Sequence, residues 1–226
     1  MLDKKGSIRN IAAYIGQPDL PDLIRRFLYH QLQVADVDTN SDNSDSDVTL
    51  ADLPPFTKFI SLHSSASSVF FAPSDPSGIH GMRKEQIRST FAWRGGGSRQ
   101  DCVLINTGGD PNGPLSSYSV ARIQLLLSFT HAGEQFPCAL VWWYTLSDAS
   151  GLRDNDTGMW LVEHEFKDDK PHISVVHTDT IFRAVHLLPY FGKVSVPLDL
   201  SYEDSLDYYD TFYVNRYADH HSFEVL

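Results

Sequence analysis

Two long apolar segments joined by a short polar loop constrain the fold of this sequence more than any other feature. Residues 120–130 and 136–146 are rich in leucine, β-branched and aromatic residues, and Gly133 lies between them. Two such runs with a short glycine-containing connection are typical of a β-hairpin. The sequence therefore predicts two long antiparallel strands near the centre of the fold.

Shorter apolar runs bounded by Gly, Pro, Asn and Asp indicate further strands. They lie at residues 59–62, 68–71, 101–106, 158–166, 172–177 and 181–188. No long helical pattern separates these strands, which favours antiparallel pairing. We predict an α+β protein that is mainly β, with a small antiparallel curled sheet or a partly open barrel.

Helical patterns lie at the two ends of the chain. Residues 21–32 place apolar side chains at spacings of three and four after Pro21, which suits a first helical position. Near the C-terminus the same spacing, after Ser201 or Ser205, links Leu206, Tyr209, Phe212, Tyr213 and Tyr217. We expect an N-terminal helix, and a C-terminal helix that closes one end of the barrel.

An acidic, polar segment divides the N-terminal helix from the β region. Residues 36–47 contain five Asp, three Ser and two Asn, with one apolar residue. Such a segment cannot bury enough apolar surface to offset the entropy lost on ordering, so it is interpreted as a flexible linker. The predicted organisation is a helical segment at 1–35, an acidic linker at 36–55, and a β-barrel-like domain at 56–226.

The charge is strongly acidic but unevenly distributed. The chain has 18 Lys and Arg against 29 Asp and Glu, which gives a formal net charge of −11. That balance excludes a protein that coats nucleic acid over its whole surface, because phosphate binding needs concentrated cations. Residues 58–126 nevertheless carry seven basic and four acidic side chains. One local basic surface therefore stays compatible with the composition.

The basic residues of that region form a segment with aromatic and glycine residues interleaved. Glycines occupy positions 95–97, and the candidate nucleic-acid-binding residues are Arg83, Lys84, Arg88, Trp93, Arg94 and Arg99. Cations can neutralise phosphates, an aromatic ring can stack on a base, and glycine permits a close backbone approach. The alternative is that these cations pair with the protein's own surplus carboxylates.

Patterns for catalysis and metal binding are weak. His164, His177 and His220 each lie near acidic residues, but neither the HExxH nor the CxxC spacing occurs. Cys102 and Cys138 have no neighbouring base, and there is no GxSxG or phosphate-binding loop. We predict no catalytic residue, cofactor, metal or small-molecule substrate. A metalloenzyme that uses these histidines is the less favoured alternative.

Targeting signals are equally weak. No run approaches the roughly 18 apolar residues of a membrane helix, and the N-terminus lacks the layout of a secretory signal. With only two cysteines, the chain is not a disulfide scaffold. The expectation is an intracellular protein with no membrane partner.

An ordered series of motifs resembles a known family. The motifs are residues 78–90 (GIHGMRKEQIRST), 93–94 (WR), 99–103 (RQDCV), 136–141 (FPCALV), 156–160 (DTGMW), 183–189 (RAVHLLP) and 212–221 (FYVNRYADHH). Together they resemble the C-terminal region of fungal Plavaka-type transposases, which belong to the CACTA-like DNA transposons. The resemblance covers about residues 17–225.

The resemblance implies a transposon-derived, nuclear protein. In that family the nuclease core lies upstream of this region, and no motif here matches it, so no catalytic residue is transferred. We therefore expect a non-catalytic accessory module that contacts DNA or a protein partner such as a transposase. A protein-interaction domain with no nucleic-acid role is the alternative.

Overall fold

The predicted hairpin forms the centre of a curled antiparallel sheet. The structure is a computed structural model that describes residues 5–35, 49–76, 78–109, 114–147, 153–193, 195–201 and 203–226. Strands β7 (Tyr118–His131) and β8 (Glu134–Leu146) pair along most of their length. Ala132 and Gly133 both have positive φ, at 49° and 89°, as a two-residue type I′ turn requires.

The other elements are short and follow one another closely. In chain order they are β1 (Lys5–Ser7), α1 (Ile8–Tyr14), α2 (Leu20–Ala35), β2 (Phe59–His63), β3 (Ser65–Phe71), β4 (Met82–Thr90), β5 (Arg99–Gln100), β6 (Cys102–Asn106), β9 (Trp160–His164), β10 (Phe166–Lys167), β11 (Lys170–Pro171), β12 (Ile173–His177), β13 (Ile181–Val185), β14 (Leu187–Pro189), α3 (Ser205–Tyr208), β15 (Thr211–Val214) and α4 (His220–Val225).

The main sheet curls because its two long strands have different neighbours at their two ends. The strand order is β1-β2-β7-β8-β9-β15-β14; β6 also pairs with β7 and with β13, and β12 pairs with β8. All of these pairs are antiparallel. The second sheet, β3-β4-β5, is separate in its hydrogen bonding. The predicted fold class, mainly β with a curled, half-barrel antiparallel sheet and terminal helices, is confirmed.

The N-terminal helices cover one face of the sheet. Helix α2 buries Leu20, Ile24 and Leu28 completely, and these side chains belong to the same core cluster as Leu125 and Leu127 of β7. The predicted helix is therefore present, and its apolar face supplies the contact. Helix α1, which the sequence analysis did not predict, joins the same cluster. The N-terminal segment and the sheet share one core.

Strand β7 is buried on both faces, which explains its unbroken apolar sequence. A register shift between Ile123 and Leu125 interrupts its pairing with β8. Before the shift, Ala121 and Ile123 pack in the cluster on the opposite face from the helices; after it, Leu125 and Leu127 face the helices. Side chains alternate along a strand, so the extra residue at the shift reverses the face to which the odd-numbered positions point. Odd-numbered residues before the shift therefore pack in one core, and those after it pack in the other.

The predicted span of the C-terminal helix is wrong. Helix α3 covers only Ser205–Tyr208, and the next residues form β15, which pairs with β9 and β14. Phe212 and Val214 are fully buried while Tyr213 is less so, which is a period of two. The β-branched and aromatic composition of β15 favours a strand once two partner strands are available. The helix that ends the chain is α4, whose Val225 packs with buried Leu226 in the core of this end.

The segment before β2 is held against α2. The Arg25 guanidinium donates to the carbonyl oxygens of Leu50, Leu53 and Pro54 at 2.8–3.1 Å, and Leu53 is buried. The predicted linker at 36–55 therefore includes residues 49–55 that have fixed partners. Residues 36–48, the acidic part of the predicted linker, lie outside the described residues.

Candidate functional site

Strand β4 separates the predicted basic residues onto two faces. Met82, Lys84 and Gln86 are exposed, whereas Ile87 and Ser89 are buried, so burial alternates along the strand. Side chains alternate across a strand, which places Arg88 with Lys84 on the outer face and Arg83 on the inner one.

Arg83 does not belong with the other cations. Its guanidinium forms an ion pair with Asp75, whose side chain is buried. Arg83 therefore follows the alternative interpretation, in which the basic residues pair with the protein's own carboxylates.

A tight turn presents the next two predicted residues. Gly96 donates to the carbonyl oxygen of Trp93 at 2.9 Å, and Trp93 donates to that of Gly97 at 3.0 Å. Arg94 and Gly95, the central turn residues, have φ of 50° and 84°. Two consecutive positive φ angles define a type I′ turn, in which glycine at the second central position avoids a steric cost. The turn exposes Arg94 and leaves Trp93 half-buried beside it.

The Trp93 indole carries three guanidinium groups. The carbon atoms of the Arg88, Arg94 and Arg99 guanidiniums lie 4.6, 5.3 and 5.1 Å from the ring centroid. Attraction to the electron-rich ring offsets part of the repulsion among these like charges. We call the surface formed by Lys84, Arg88, Trp93, Arg94 and Arg99 the Trp93 cluster. The sequence analysis expected Trp93 to stack on a base, but its ring already contacts the three arginines.

Asp101 fixes one side of the Trp93 cluster. Its carboxylate accepts the backbone N–H of Arg88 at 2.9 Å and the Nε–H of Arg99 at 2.8 Å. Arg99 is thus partly neutralised. Within the described ranges, Lys84, Arg88 and Arg94 form no ion pair. The cluster therefore keeps a net positive charge in an acidic protein.

Glu203 holds the glycines of the turn. Both of its carboxylate oxygens accept the backbone N–H of Gly97 at 3.0 Å. A Cβ atom on Gly96 or Gly97 would collide with this carboxylate. The close approach that these glycines permit is therefore to Glu203, and not to an external ligand as the sequence analysis assumed.

A cleft of about 530 Å³ lies between the turn and the segment that contains Glu203. Its lining includes Arg94, Arg99, Arg122 and His186. Arg122 is only 5% exposed and forms a two-pronged pair with Asp207, with N–O distances of 2.5 and 3.1 Å. Its Nε–H has no acceptor among the described residues. The cleft thus adds a third arginine to the two from the Trp93 cluster.

The structure brings together most but not all of the predicted site. Four of the six candidate residues meet, namely Arg88, Trp93, Arg94 and Arg99, while Lys84 lies on the same face of β4 as Arg88, four residues away. Residues Asp101, Arg122 and Glu203 complete the surroundings, and the sequence analysis missed all three. Arg122 had a detectable signal, because it is a cation within an otherwise apolar strand and such a charge needs a partner. Nothing in the sequence connects Glu203 to the glycines.

The histidines considered as metal ligands are dispersed. His164 stacks between Trp142 and Tyr144, and its Nε2 lies 3.2 Å from the Leu206 carbonyl oxygen. Burial lowers the pKa of His164 below its usual value. His177 lies beside Asp179 with 3.4 Å between Nδ1 and Oδ2. Among the residues that the structure describes, no three His, Cys, Asp or Glu side chains are grouped as a metal site requires.

A second charged group joins α4 to β13. Arg183 is 4% exposed, and its guanidinium donates to both carboxylate oxygens of Asp219 at 3.1 and 2.6 Å. Burial raises the pKa of Asp219, but hydrogen bonds from Arg183 and Ser222 outweigh this effect and hold it well below its usual range. Asp219 also caps α4 by accepting the Ser222 N–H at 2.7 Å. This arrangement is structural, because all three groups are turned toward one another.

Both cysteines are buried and lack the properties of a nucleophile. Burial raises the pKa of Cys102 to about 12 and that of Cys138 to about 12. Because the thiolate is the reactive form, thiols with such pKa values react poorly. Cys138 packs in the core beneath α2, as its apolar neighbours predict.

Comparison with known proteins gives no relative: no family model, no curated protein and no solved structure matches this chain. In the described part of the chain, no helix is both long and apolar enough to span a membrane.

Proposed function

We propose that this chain is a non-catalytic binding module that contacts nucleic-acid phosphates through the Trp93 cluster. The observation that carries the proposal is the convergence of Arg88, Arg94 and Arg99 on one indole ring, with Lys84 on the same strand face as Arg88. Like charges repel, and among the described residues Arg88 and Arg94 form no ion pair, so grouping these cations adds little to the stability of the fold. A polyanionic ligand is the natural reason to keep three guanidiniums together.

The geometry favours contact with phosphates over contact with base faces. Arginine guanidiniums bind phosphate oxygens with two parallel hydrogen bonds, and the Trp93 ring holds three of them at one place. A half-buried ring with arginines against it offers little face for a stacked base. We therefore expect binding with little sequence preference and strong salt dependence.

We further propose that the module derives from a transposase and acts in the nucleus. The support is the ordered series of motifs that resembles the C-terminal region of Plavaka-type transposases, several of which lie in the site: residues 78–90, 93–94 and 99–103. A binding module beside a nuclease would hold the DNA on which its partner acts.

The experiment is fluorescence anisotropy with a labelled oligonucleotide at low salt. Arg88→Ala and Arg94→Ala should each weaken binding by roughly three- to tenfold, as expected for one lost phosphate contact. Arg9, an exposed arginine on α1, supplies the matched control Arg9→Ala, which should bind like the wild type. Undetectable binding of the wild type, or equal effects of all three substitutions, would refute the proposal.

Protein binding is a second candidate function, favoured by the tip of the β3–β4 hairpin. Phe71, Ile79 and Met82 are 63%, 76% and 44% exposed, and Met82 pairs with both of the others. Adjoining exposed apolar side chains mark interaction surfaces. The first partner to test is a second copy of this chain: sedimentation across micromolar concentrations should show association that Phe71→Ser removes. Monomeric sedimentation of the wild type would exclude self-association.

A further inference from the structure

We propose that the ligand is a single strand of nucleic acid, or the unpaired end of a duplex, and that one base enters the cleft beside the Trp93 cluster. This inference rests on the proposed function and specifies its ligand class. Three observations support it: the few cations of the cluster among nearby carboxylates, the size and lining of the cleft, and a second cleft that adjoins the first.

A bound duplex would be stiff. DNA duplex is rigid over about 150 base pairs, so it must also lie across whatever surrounds its contact site. Here carboxylates adjoin that site: Glu203 lines the cleft, and the exposed Asp207 pairs with Arg122. The four cations of the Trp93 cluster are few compared with the six to ten phosphate contacts of duplex-binding proteins. A flexible single strand can meet the four cations and bend away from the carboxylates.

The cleft is large enough for a base and offers it polar contacts. Its volume of about 530 Å³ falls in the range of sites that hold small organic ligands. Ser98, Gln100 and His186 give it polar side chains that can face the edge of a base. Arg122 also lines the cleft, with its guanidinium held by Asp207.

The cleft has a neighbour. A second cleft of about 370 Å³ shares Arg99, Gln100, Asp101 and His186 with the first and is also lined by residues of β13. Two adjoining clefts beside one group of cations suit a linear ligand. With a base in the cleft, the neighbouring phosphates of the strand would lie on the Trp93 cluster. Arg94 belongs both to this cluster and to the lining of the cleft.

The test compares a labelled oligothymidine of about 12 nucleotides, within the site sizes of single-strand binders, with a blunt duplex of equal length. The full chain should bind the single strand at least about tenfold more tightly, as expected when a base contact adds to phosphate contacts. Ser98 is exposed in the cleft lining, so Ser98→Leu should narrow the cleft without changing charge. It should weaken single-strand binding by about fivefold or more, the loss expected for one excluded base.

The matched control is Ser195→Leu, at an exposed serine outside the cleft lining, which should bind normally. Circular dichroism confirms that each variant is folded. Equal or tighter binding of the duplex overturns this inference, and so does normal single-strand binding by Ser98→Leu. In either case, salt-dependent binding that Arg88→Ala weakens would leave the proposed function standing. Failure of both oligonucleotides to bind at low salt overturns both.

Discussion

The carboxylate of Glu203 accepts the backbone N–H of Gly97 through both oxygens, each at 3.0 Å, across 106 residues of sequence. This contact links the turn that presents Trp93 and Arg94 to the segment preceding α3. It also places a negative charge beside the Trp93 cluster. Glu203 therefore has two effects: it positions the turn, and it reduces the attraction of the cluster for anions.

Replacing Glu203 should separate these effects. Glu203→Gln keeps an oxygen that can accept the Gly97 N–H but removes the charge, so oligonucleotide affinity at low salt should rise by roughly two- to fivefold. The gain should shrink as salt increases, because screening weakens repulsion between exposed groups. Anisotropy titrations at two salt concentrations measure both changes. Unchanged or weaker binding by Glu203→Gln at low salt would contradict the charge effect.

Trp93 should matter for binding although it carries no charge. In Trp93→Ala the guanidiniums of Arg88, Arg94 and Arg99 lose the ring that holds them together. Each cation–π contact at an exposed site contributes about 0.5–1 kcal/mol to holding a guanidinium in place. Losing the equivalent of one contact from the free energy of binding should weaken binding by roughly two- to fivefold. Trp93→Phe, which keeps a smaller ring, should retain part of the affinity. If the alanine variant binds like the wild type, the ring does not organise the cations.

The Arg183–Asp219 pair predicts a large loss of stability. Asp219→Ala removes the cap of α4 and the short ion pair of the buried Arg183 guanidinium, which keeps only the longer 3.9 Å pair to Glu85, at a cost of about 3 kcal/mol in the free energy of unfolding. Urea denaturation measures this loss. The double variant Arg183→Met with Asp219→Ser removes the charge and keeps a capping oxygen, so it should be more stable than Asp219→Ala. The reverse order would exclude an unpaired charge as the cause.

Acid should destabilise the protein through its buried histidines. Burial lowers the pKa of His164, and burial with the nearby Arg183 lowers that of His221, although Asp219 and Glu224 oppose this for His221. The unfolded state, with an ordinary histidine pKa of about 6.5, then binds more protons than the folded state. The stability that the neutral histidines contribute should be fully present above about pH 6.5. It should be lost as the pH decreases toward the pKa values of the two histidines in the folded state.

Urea denaturation at a series of pH values checks this dependence. His164→Phe keeps a stacking ring but cannot be protonated, so its stability should change less between neutral and mildly acidic pH. The exposed His220 offers the control His220→Gln, which should follow the wild-type profile. A wild-type stability that rises on mild acidification would contradict the direction of both pKa changes.

Much of the fold could be predicted because local pattern and burial agree. The β7–β8 hairpin and α2 each bury the side chains that their sequence periodicity selects. The pattern failed where tertiary context decides. Leu206, Tyr209 and Phe212 fit a helical spacing, yet two neighbouring strands draw Phe212 into β15. Strand β4 was missed because most of its side chains are polar, and only pairing with β3 reveals it.

The candidate site was predictable in part for a similar reason. Arg88, Trp93, Arg94 and Arg99 are close in sequence, so a turn and a short strand pair are enough to bring them together. Arg83 lies apart from these residues because a strand places neighbouring side chains on opposite faces, and β4 was not predicted. Glu203 and Arg122 come from distant segments that only the folded chain brings beside the turn.

The dependence of oligonucleotide affinity on salt tests the central claim most directly. For a single strand, each neutralised phosphate contributes about 0.7 to the slope of log affinity against log salt, so the four cations of the Trp93 cluster predict a slope near −3. The double variant Arg88→Ala, Arg94→Ala should reduce that slope by about half, while Arg9→Ala leaves it unchanged. A wild-type slope near zero, or the same slope in the double variant, would contradict phosphate binding by the Trp93 cluster.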